Sequence, residues 1–180
     1  MMSSADNLTK GVSILLGYLY LQIQNVKWYT GIQRSKVTHS LDGSPIYGSS
    51  LAKAKNLRTF RLGKLKMFND FGRYLLPLTT EKDECTDDSG KTCFKSGDGR
   101  TNQMISLVVI YILLAREHNK ICDILCQLNP HWSYGKLYQE ARKIVIAELQ
   151  HIVFKEWLAI IIGTDQTHRF GVYEIPPWLC

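Results

Sequence analysis

The chain has 180 residues, a formal net charge of +6 and a hydrophobic fraction of 45 %. These values are typical of an ordinary globular protein, and the length suggests one domain with a sizeable core. Lysine and arginine are dispersed among apolar segments instead of forming a basic face with interleaved aromatics, which disfavours a nucleic-acid-binding protein. The apolar run at residues 12–23 is shorter than the roughly twenty residues of a membrane span. No signal-peptide cleavage pattern follows that run, so a packed helix or strand is favoured there.

Residues 37–50, VTHSLDGSPIYGSS, form a predicted loop rich in glycine, serine and proline. Side chains that carry oxygen stand at every second position, at Thr38, Ser40, Asp42 and Ser44. Calcium takes oxygen ligands from carboxylates, hydroxyls and carbonyls, so the alternation suits a calcium site. A hydrogen-bonded turn is the alternative interpretation.

Residues 51–68 predict a basic helix and turn whose solvated face carries the charges. Four apolar residues are expected to turn inward: Leu51, Ala54, Leu57 and Leu62. A turn and a short apolar stretch are predicted over residues 69–77, and an acidic loop follows at residues 81–88.

The central stretch, residues 97–163, predicts two long helices joined by a short polar turn. The first has a polar start at Asp98, Arg100 and Gln103, and residues 104–114 are then almost unbroken apolar sequence. A helix apolar on nearly every face is expected to be buried in a core or to lie against a large cofactor. Asn129-Pro130 should end it, because proline cannot continue a helix.

The second helix is predicted to begin after Ser133, a suitable N-cap, and to stop at Gly163. Apolar residues recur along it at three- and four-residue steps and predict one buried stripe: Leu137, Ala141, Ile144, Val145, Leu149 and Ile152.

Several segments in this stretch carry a family resemblance: GDGRTNQ, LLAREHNK, LNPHW, LYQEARKIVIAELQHI and EWLAIIIG. Upstream, LDGSPIYGSS, NLRTF, the LLP of residues 75–77 and Cys85…Cys93-Phe94 fit the same pattern. In this order and spacing they resemble the animal haem peroxidase family over residues 37–170. The resemblance implies a mainly α, partial haem peroxidase fold with little β structure. It also implies haem, oxidation of an unidentified donor by hydrogen peroxide, and an extracellular or secretory-lumen location. By this resemblance, residues 31–175 are a partial haem peroxidase domain between divergent segments at 1–30 and 176–180.

The resemblance also implies roles for individual residues. Arg100 matches the family's distal arginine; otherwise it is a helix-start arginine paired with Asp98. Gln103 stands where the family has a glutamate that can esterify the haem, and an amide cannot form that ester in the same way. Met104 occupies a position where one branch of the family links haem through sulfur; core packing is the alternative.

Thr38, Ser40, Asp42 and Ser44 match the family's calcium loop, with Ser40 contributing its backbone carbonyl. With one carboxylate, calcium binding is expected to be weak.

The family's distal histidine motif, similar to WGQFLDHD, does not occur in this sequence, and its proximal histidine lies further along than residue 180. We therefore expect an incomplete chain that is inactive alone and prone to self-association through exposed core surface. The alternative is a non-catalytic, secreted interaction or regulatory protein on a degenerate peroxidase scaffold. Glu148 and His151 read as a hydrogen-bonded helix pair and His118 as part of a packing and salt-bridge cluster. The remaining histidines are predicted in loops: His39, His131 and His168.

Cys85 and Cys93 flank a polar turn, where a short disulfide-closed loop is natural in an oxidising compartment. The family resemblance supports that pairing, and two exposed thiols are the alternative. Cys122 and Cys126 stand one helical turn apart and read as buried thiols, because a zinc site needs further ligands.

Overall fold

The computed structural model describes Thr38 and residues 41–79 and 92–171 of the chain. Predictions for residues 1–37, His39, Ser40, the acidic loop, Cys85 and residues 172–180 lie outside this part. The described fold is mainly α with little strand, as predicted. Within these residues no helix has the length and apolar character needed to cross a membrane.

Short elements come first. Helices α1 (Ser44–Tyr47) and α2 (Leu51–Leu57) are followed by two antiparallel strand pairs. Strand β1 (Phe68–Asp70) pairs with β2 (Arg73–Leu75), and β3 (Leu78–Thr79) pairs with β4 (Cys93–Phe94). The turn predicted within residues 69–77 is thus the turn of the β1–β2 hairpin, and the apolar stretch after it begins in β2.

The predicted inward face of α2 and its following turn is only partly correct. Leu57 is buried and Ala54 half-buried, but Leu51 is 72 % exposed and Leu62 51 % exposed. Leu51 is the first residue of α2, and Leu62 lies in a tight turn with φ of 52°, so neither side chain reaches the core.

Helix α3 (Ile105–Leu128) follows a 3₁₀ turn at Thr101–Gln103 and ends before Asn129-Pro130, as predicted. One face is buried, at three- and four-residue steps: Leu107, Ile110, Tyr111, Ala115, His118, Ile121 and Cys122. Another face is open, with Ile105 84 % exposed and Val109 41 % exposed. The apolar run is therefore not buried all round among the described residues, and its open face suits the other predicted option, contact with a cofactor.

Helix α4 (Tyr134–His151) begins after Ser133, whose Oγ accepts a hydrogen bond from the Lys136 N–H at 3.3 Å, as predicted for an N-cap. Its buried residues recur at three- and four-residue steps: Leu137, Tyr138, Ala141, Val145 and Leu149. Ile144 was wrongly included, since it is 40 % exposed and lies about 100° around the helix from Val145.

A π-helical turn (Ile152–Trp157) and α5 (Leu158–Ile162) follow α4, and the boundary between two compact units falls after Ile146. Gly163, with φ of 84°, ends α5 as predicted. The last described helix is α6 (Thr164–Arg169), so His168 is helical, contrary to its predicted loop position.

The core of the unit that ends at Ile146 joins α3 and the first turns of α4 to the earlier elements. Aromatic rings of Tyr47, His118 and Tyr138 meet edge to face, with centroids 5.3–6.0 Å apart. Arg58 from the turn after α2 lies over the Tyr138 ring at 3.8 Å. This aromatic cluster fixes α3, and through it the site residues at its N-terminal end.

Candidate functional site

The residues before α3 hold an arginine in a defined position. The Arg100 N–H and Nε donate to Asp98 Oδ1 at 2.9 and 3.1 Å, and Nη2 donates to Asp98 Oδ2 at 2.7 Å. The Asp98 side chain is 8 % exposed, whereas that of Arg100 is 55 % exposed. The pairing predicted as the alternative for Arg100 is therefore present, and it leaves more than half of the side chain open to solvent.

Both members of the pair are charged at neutral pH. Burial alone would raise the pKa of Asp98, but the hydrogen bonds from the Arg100 side chain and N–H outweigh it, and the pKa is lowered. The hydrogen bond to Asp98 likewise raises the pKa of Arg100. The result is an anchored carboxylate that orients a permanent positive charge.

The loop carrying this pair is packed backbone to backbone against α1. A Cβ on Gly97 would lie 2.2 Å from the Ser44 carbonyl oxygen and 2.4 Å from the Gly48 nitrogen, so only glycine fits. The Ser96 hydroxyl donates to the Pro45 carbonyl at 3.0 Å. The structure thus brings the Asp98–Arg100 loop beside the segment that carries the predicted calcium ligands.

Three of the four predicted calcium ligands lie in the described residues, and they cluster. Thr38 Oγ1 lies 2.9 Å from Asp42 Oδ1 and 2.8 Å from Ser44 Oγ. The Ser44 N–H donates to the same Asp42 oxygen at 3.0 Å. This geometry is a hydrogen-bonded turn, the predicted alternative, and its converging oxygens also fit a cation, so calcium stays a prediction. The described residues hold no group of three or more His, Cys, Asp or Glu arranged for a metal ion.

Gln103 and Met104 follow Arg100 at the start of α3. Gln103 is exposed at the end of the 3₁₀ turn, and Met104 is half-buried. Ile105 and Val109, further along α3, are exposed on its open apolar face. The predicted roles of Gln103 and Met104 toward haem stay predictions.

His118 is completely buried in α3. Its Nε2 lies 3.0 Å from the Gly63 carbonyl, which can only accept, so Nε2 carries the proton and Nδ1 accepts from the Tyr47 hydroxyl at 3.0 Å. Burial lowers the pKa of His118 to about 4, and the Gly63 hydrogen bond opposes it only partly. The packing role predicted for His118 is confirmed. The salt bridge is made instead by its neighbours Glu117 and Lys120, 3.1 Å apart.

The sequence did not predict the backbone contacts that His118 and Asn119 make with Gly63 and Leu65. Asn119 Oδ1 accepts from the Leu65 N–H at 2.8 Å, and its Nδ2 donates to the Leu65 carbonyl at 3.1 Å. The one available signal was that His118 falls on the otherwise apolar buried stripe of α3.

The cysteines divide into bonded and free. Cys93 is disulfide-bonded, and because its partner falls outside the described residues, the pairing with Cys85 stays a prediction. Cys122 and Cys126 are free thiols. Cys122 is buried, which raises the pKa of its thiol to about 12, so the predicted buried thiol is confirmed there; Cys126 is only half-buried.

Comparison with known proteins decides the family. The sequence pattern described as animal haem peroxidase matches residues 22–175, well over half of the chain. The chain belongs to the animal haem peroxidase family. A chorion peroxidase of Drosophila melanogaster is 58 % identical over 146 residues, covering 81 % of this chain and 18 % of the relative. Peroxidasin of the same species is 40 % identical over 151 residues, covering 79 % of this chain and 10 % of the relative.

Solved structures agree with the fold of this haem peroxidase chain. Peroxidase A from Dictyostelium discoideum superposes with a TM-score of 0.61 at 28 % identity, over 66 % of this chain and 24 % of that one. A fatty acid alpha-dioxygenase from Oryza sativa, 21 % identical, shares the fold with a TM-score of 0.59 over 91 % of this chain and 30 % of that one. The chain therefore spans less than a third of each of these proteins.

The described residues fit a haem in part. An exposed guanidinium at Arg100 and the open apolar face of α3 at Ile105 and Val109 suit the anionic and apolar parts of a porphyrin. An iron ligand is not evident among them. Both nitrogens of His118 are occupied, and the other described histidines are exposed: His131, His151 and His168.

Proposed function

We propose that this chain supplies the arginine side of a haem peroxidase site, in a protein that oxidises a donor with hydrogen peroxide. The observation that carries the proposal is the Asp98–Arg100 pair, which presents a fixed, half-exposed guanidinium at the start of α3. Haem, when bound, supplies the redox chemistry.

The task of Arg100 in this proposal is electrostatic. Its guanidinium stays charged at any working pH, so it can hold negative charge on a peroxide oxygen without a proton transfer. Asp98 acts as a positioning residue, because its buried carboxylate binds Nε and Nη2 and fixes the direction of the rest of the guanidinium.

Attachment of the haem in this proposal is non-covalent at Gln103, since an amide does not form the ester that a carboxylate can. The disulfide bond at Cys93 supports an extracellular or secretory-lumen location, where disulfides persist. The chain spans 18 % of the chorion peroxidase, so peroxide-dependent oxidation of a donor is proposed for the whole protein.

A haem titration tests this proposal. The chain and the product of its full open reading frame are titrated with haemin while the Soret band and peroxide-dependent donor oxidation are followed. Arg100→Ala is compared with Arg73→Ala, which removes the same charge from another Asp–Arg pair, Asp70–Arg73. We expect Arg100→Ala to lower turnover on the order of a hundredfold, and Arg73→Ala to leave it unchanged. Equal turnover in both variants would remove Arg100 from the mechanism.

A non-catalytic scaffold is the second candidate, favoured by the full occupation of both His118 nitrogens. A flat haemin titration with both the chain and the full product would support it over the peroxidase.

We also propose a weak calcium site at Thr38, Ser40, Asp42 and Ser44, supported by the converging oxygens of three of these residues. Millimolar calcium is expected to raise the melting temperature of the protein, and Asp42→Asn should abolish this shift. Asp165→Asn, at an exposed position in α6, is the matched control. A calcium shift that survives Asp42→Asn would refute the site.

A further inference from the structure

The turn between α2 and β1 is built as a rigid projection. The Lys66 N–H donates to the Leu57 carbonyl at 2.8 Å, and the Thr59 N–H donates to the Lys64 carbonyl at 2.9 Å. Arg58 and Leu65 form an antiparallel bridge between these two bonds. We call residues 57–66 the 57–66 turn.

The base of the 57–66 turn is fixed to α3. His118 donates to the Gly63 carbonyl, and Asn119 makes both of its hydrogen bonds to the backbone of Leu65. A Cβ on Gly63 would lie 2.7 Å from the Tyr138 nitrogen, so the backbone of the turn lies directly against α4. The turn cannot fold back to hide its tip without breaking these contacts.

The tip nevertheless presents apolar side chains to solvent. Phe60 is 45 % exposed and Leu62 51 % exposed, and Arg61 between them is exposed as well. Phe60 and Leu62 have φ values of 57° and 52°, a region that costs energy for any residue with a Cβ. Tyr134, 52 % exposed, lies edge to face with Phe60 at 6.3 Å and extends the apolar tip.

The Thr59 hydroxyl and the Lys64 N–H bind backbone groups of Arg61 and Lys64 inside the turn. Thr59 Oγ1 accepts from the Arg61 N–H at 3.1 Å and lies 2.9 Å from both the Arg61 and the Lys64 carbonyl oxygens. These bonds hold the backbone of the tip in the conformation that exposes Phe60 and Leu62.

The charges carried by the segment around the tip have one sign. Residues 51–67 contain no Asp or Glu and six basic residues: Lys53, Lys55, Arg58, Arg61, Lys64 and Lys66. Lys64 pairs with Asp123 at 2.6 Å, while Lys55, Arg61 and Lys66 are exposed. Exposed cations flanking exposed Phe and Leu are the composition of protein surfaces that bind anionic membranes.

We propose that the tip of the 57–66 turn binds the surface of a membrane that contains anionic lipid. Phe60 and Leu62 enter the headgroup region, and Lys55, Arg61 and Lys66 face the lipid phosphates and carboxylates. Exposed apolar side chains beside exposed cations suit the interfacial region of an anionic membrane better than an acidic protein, which binds through matched hydrogen bonds. This attachment is peripheral, and it is independent of the proposed peroxidase function.

The test is sedimentation of the purified 180-residue chain with vesicles of phosphatidylcholine containing phosphatidylserine, and with vesicles of phosphatidylcholine alone. The apolar variant is Phe60→Ser with Leu62→Ser. Its matched control is Phe71→Ser, which removes a 99 % exposed phenylalanine at positive φ from the β1–β2 hairpin. Circular dichroism and melting temperature verify that each variant is folded.

A second variant neutralises the cations by changing Lys55, Arg61 and Lys66 to glutamine. Its control makes the same change at two exposed lysines elsewhere, Lys120 and Lys143, and the two variants are compared per charge removed. We expect binding only to vesicles with phosphatidylserine, weakened by added salt. The partition coefficient onto these vesicles should fall on the order of fivefold for each tip cation removed. The Phe60→Ser, Leu62→Ser variant should lower it by at least the roughly fivefold factor expected for one cation.

Three results would overturn the proposal. One is equal binding to both vesicle types, and another is a loss of binding in the Phe71→Ser or Lys120 and Lys143 controls as large as in the tip variants. The third is no sedimentation of the chain on either vesicle; retention on immobilised polyglutamate would then assign the tip to an acidic protein.

Discussion

Replacing His118 by glutamine is expected to remove an acid-sensitive part of the protein's stability. His118 is completely buried, donates to the Gly63 carbonyl and accepts from the Tyr47 hydroxyl, so it is held in its neutral form. Burial lowers the pKa of this imidazole to about 4 from its ordinary value of 6.5, and nearby Arg58 adds to that effect. Protonation at mild acid therefore favours the unfolded chain.

The sign and size of this pH effect on stability follow from proton linkage. Because the folded pKa is the lower one, the unfolded chain binds more protons between the two values, and stability falls as the pH drops from 6.5 toward about 4. The wild-type free energy of unfolding should decrease by about 2 kcal/mol from pH 7 to pH 5 through this group alone. Glutamine does not titrate, so His118→Gln lacks this decrease, whatever its stability at neutral pH.

Urea denaturation followed by tryptophan fluorescence at several pH values between about 7 and 5 measures both proteins. The quantity that matters is the difference in free energy of unfolding between wild type and variant, because every other ionisable group is common to both. His131→Gln, at an exposed position, is the control and should keep the wild-type slope. Parallel pH dependence of wild type and His118→Gln would refute the reasoning.

Two further predictions concern the packing around the site. Gly97→Ala should lower the free energy of unfolding by about 3 kcal/mol or more, since its Cβ would overlap the backbone of α1. Gly135→Ala is the control in the same denaturation experiment. Its Cβ would meet the nearest atom at 3.9 Å, so this variant should change the free energy of unfolding little. Asn119→Ala removes two hydrogen bonds to Leu65 and should cost about 2 kcal/mol, with faster hydrogen exchange at the Leu65 amide. The exposed Asn56→Ala is its control, and unchanged Leu65 exchange in Asn119→Ala would contradict the prediction.

Local sequence signals predicted the ends of the long helices well. Ser133 caps α4, Asn129-Pro130 ends α3 and Gly163 ends α5, because capping and chain-breaking depend on residues within one turn. The π-helical turn at Ile152–Trp157 was not predicted, since its apolar spacing also fits a continuous α-helix.

Predictions about which side chains are buried were less reliable. Leu51, Leu62 and Ile144 have apolar side chains and suitable spacing, yet all three are exposed. Leu62 shows the reason: its direction is set by a backbone turn with positive φ, held by Thr59 and by contacts from α3 that are distant in sequence. Hydrophobicity alone does not report such a constraint.

The sequence by itself determined the mainly α architecture, the family and the identity of the candidate residues, because motif order and helix periodicity are properties of the chain. Tertiary structure decided what those residues contact. It placed the Asp98–Arg100 loop against Ser44 through Gly97. It also made His118 a neutral buried donor to the Gly63 carbonyl, and it left the Phe60 and Leu62 side chains exposed to solvent. Each of these depends on contacts between segments far apart in sequence, whose geometry exists only once the chain has folded.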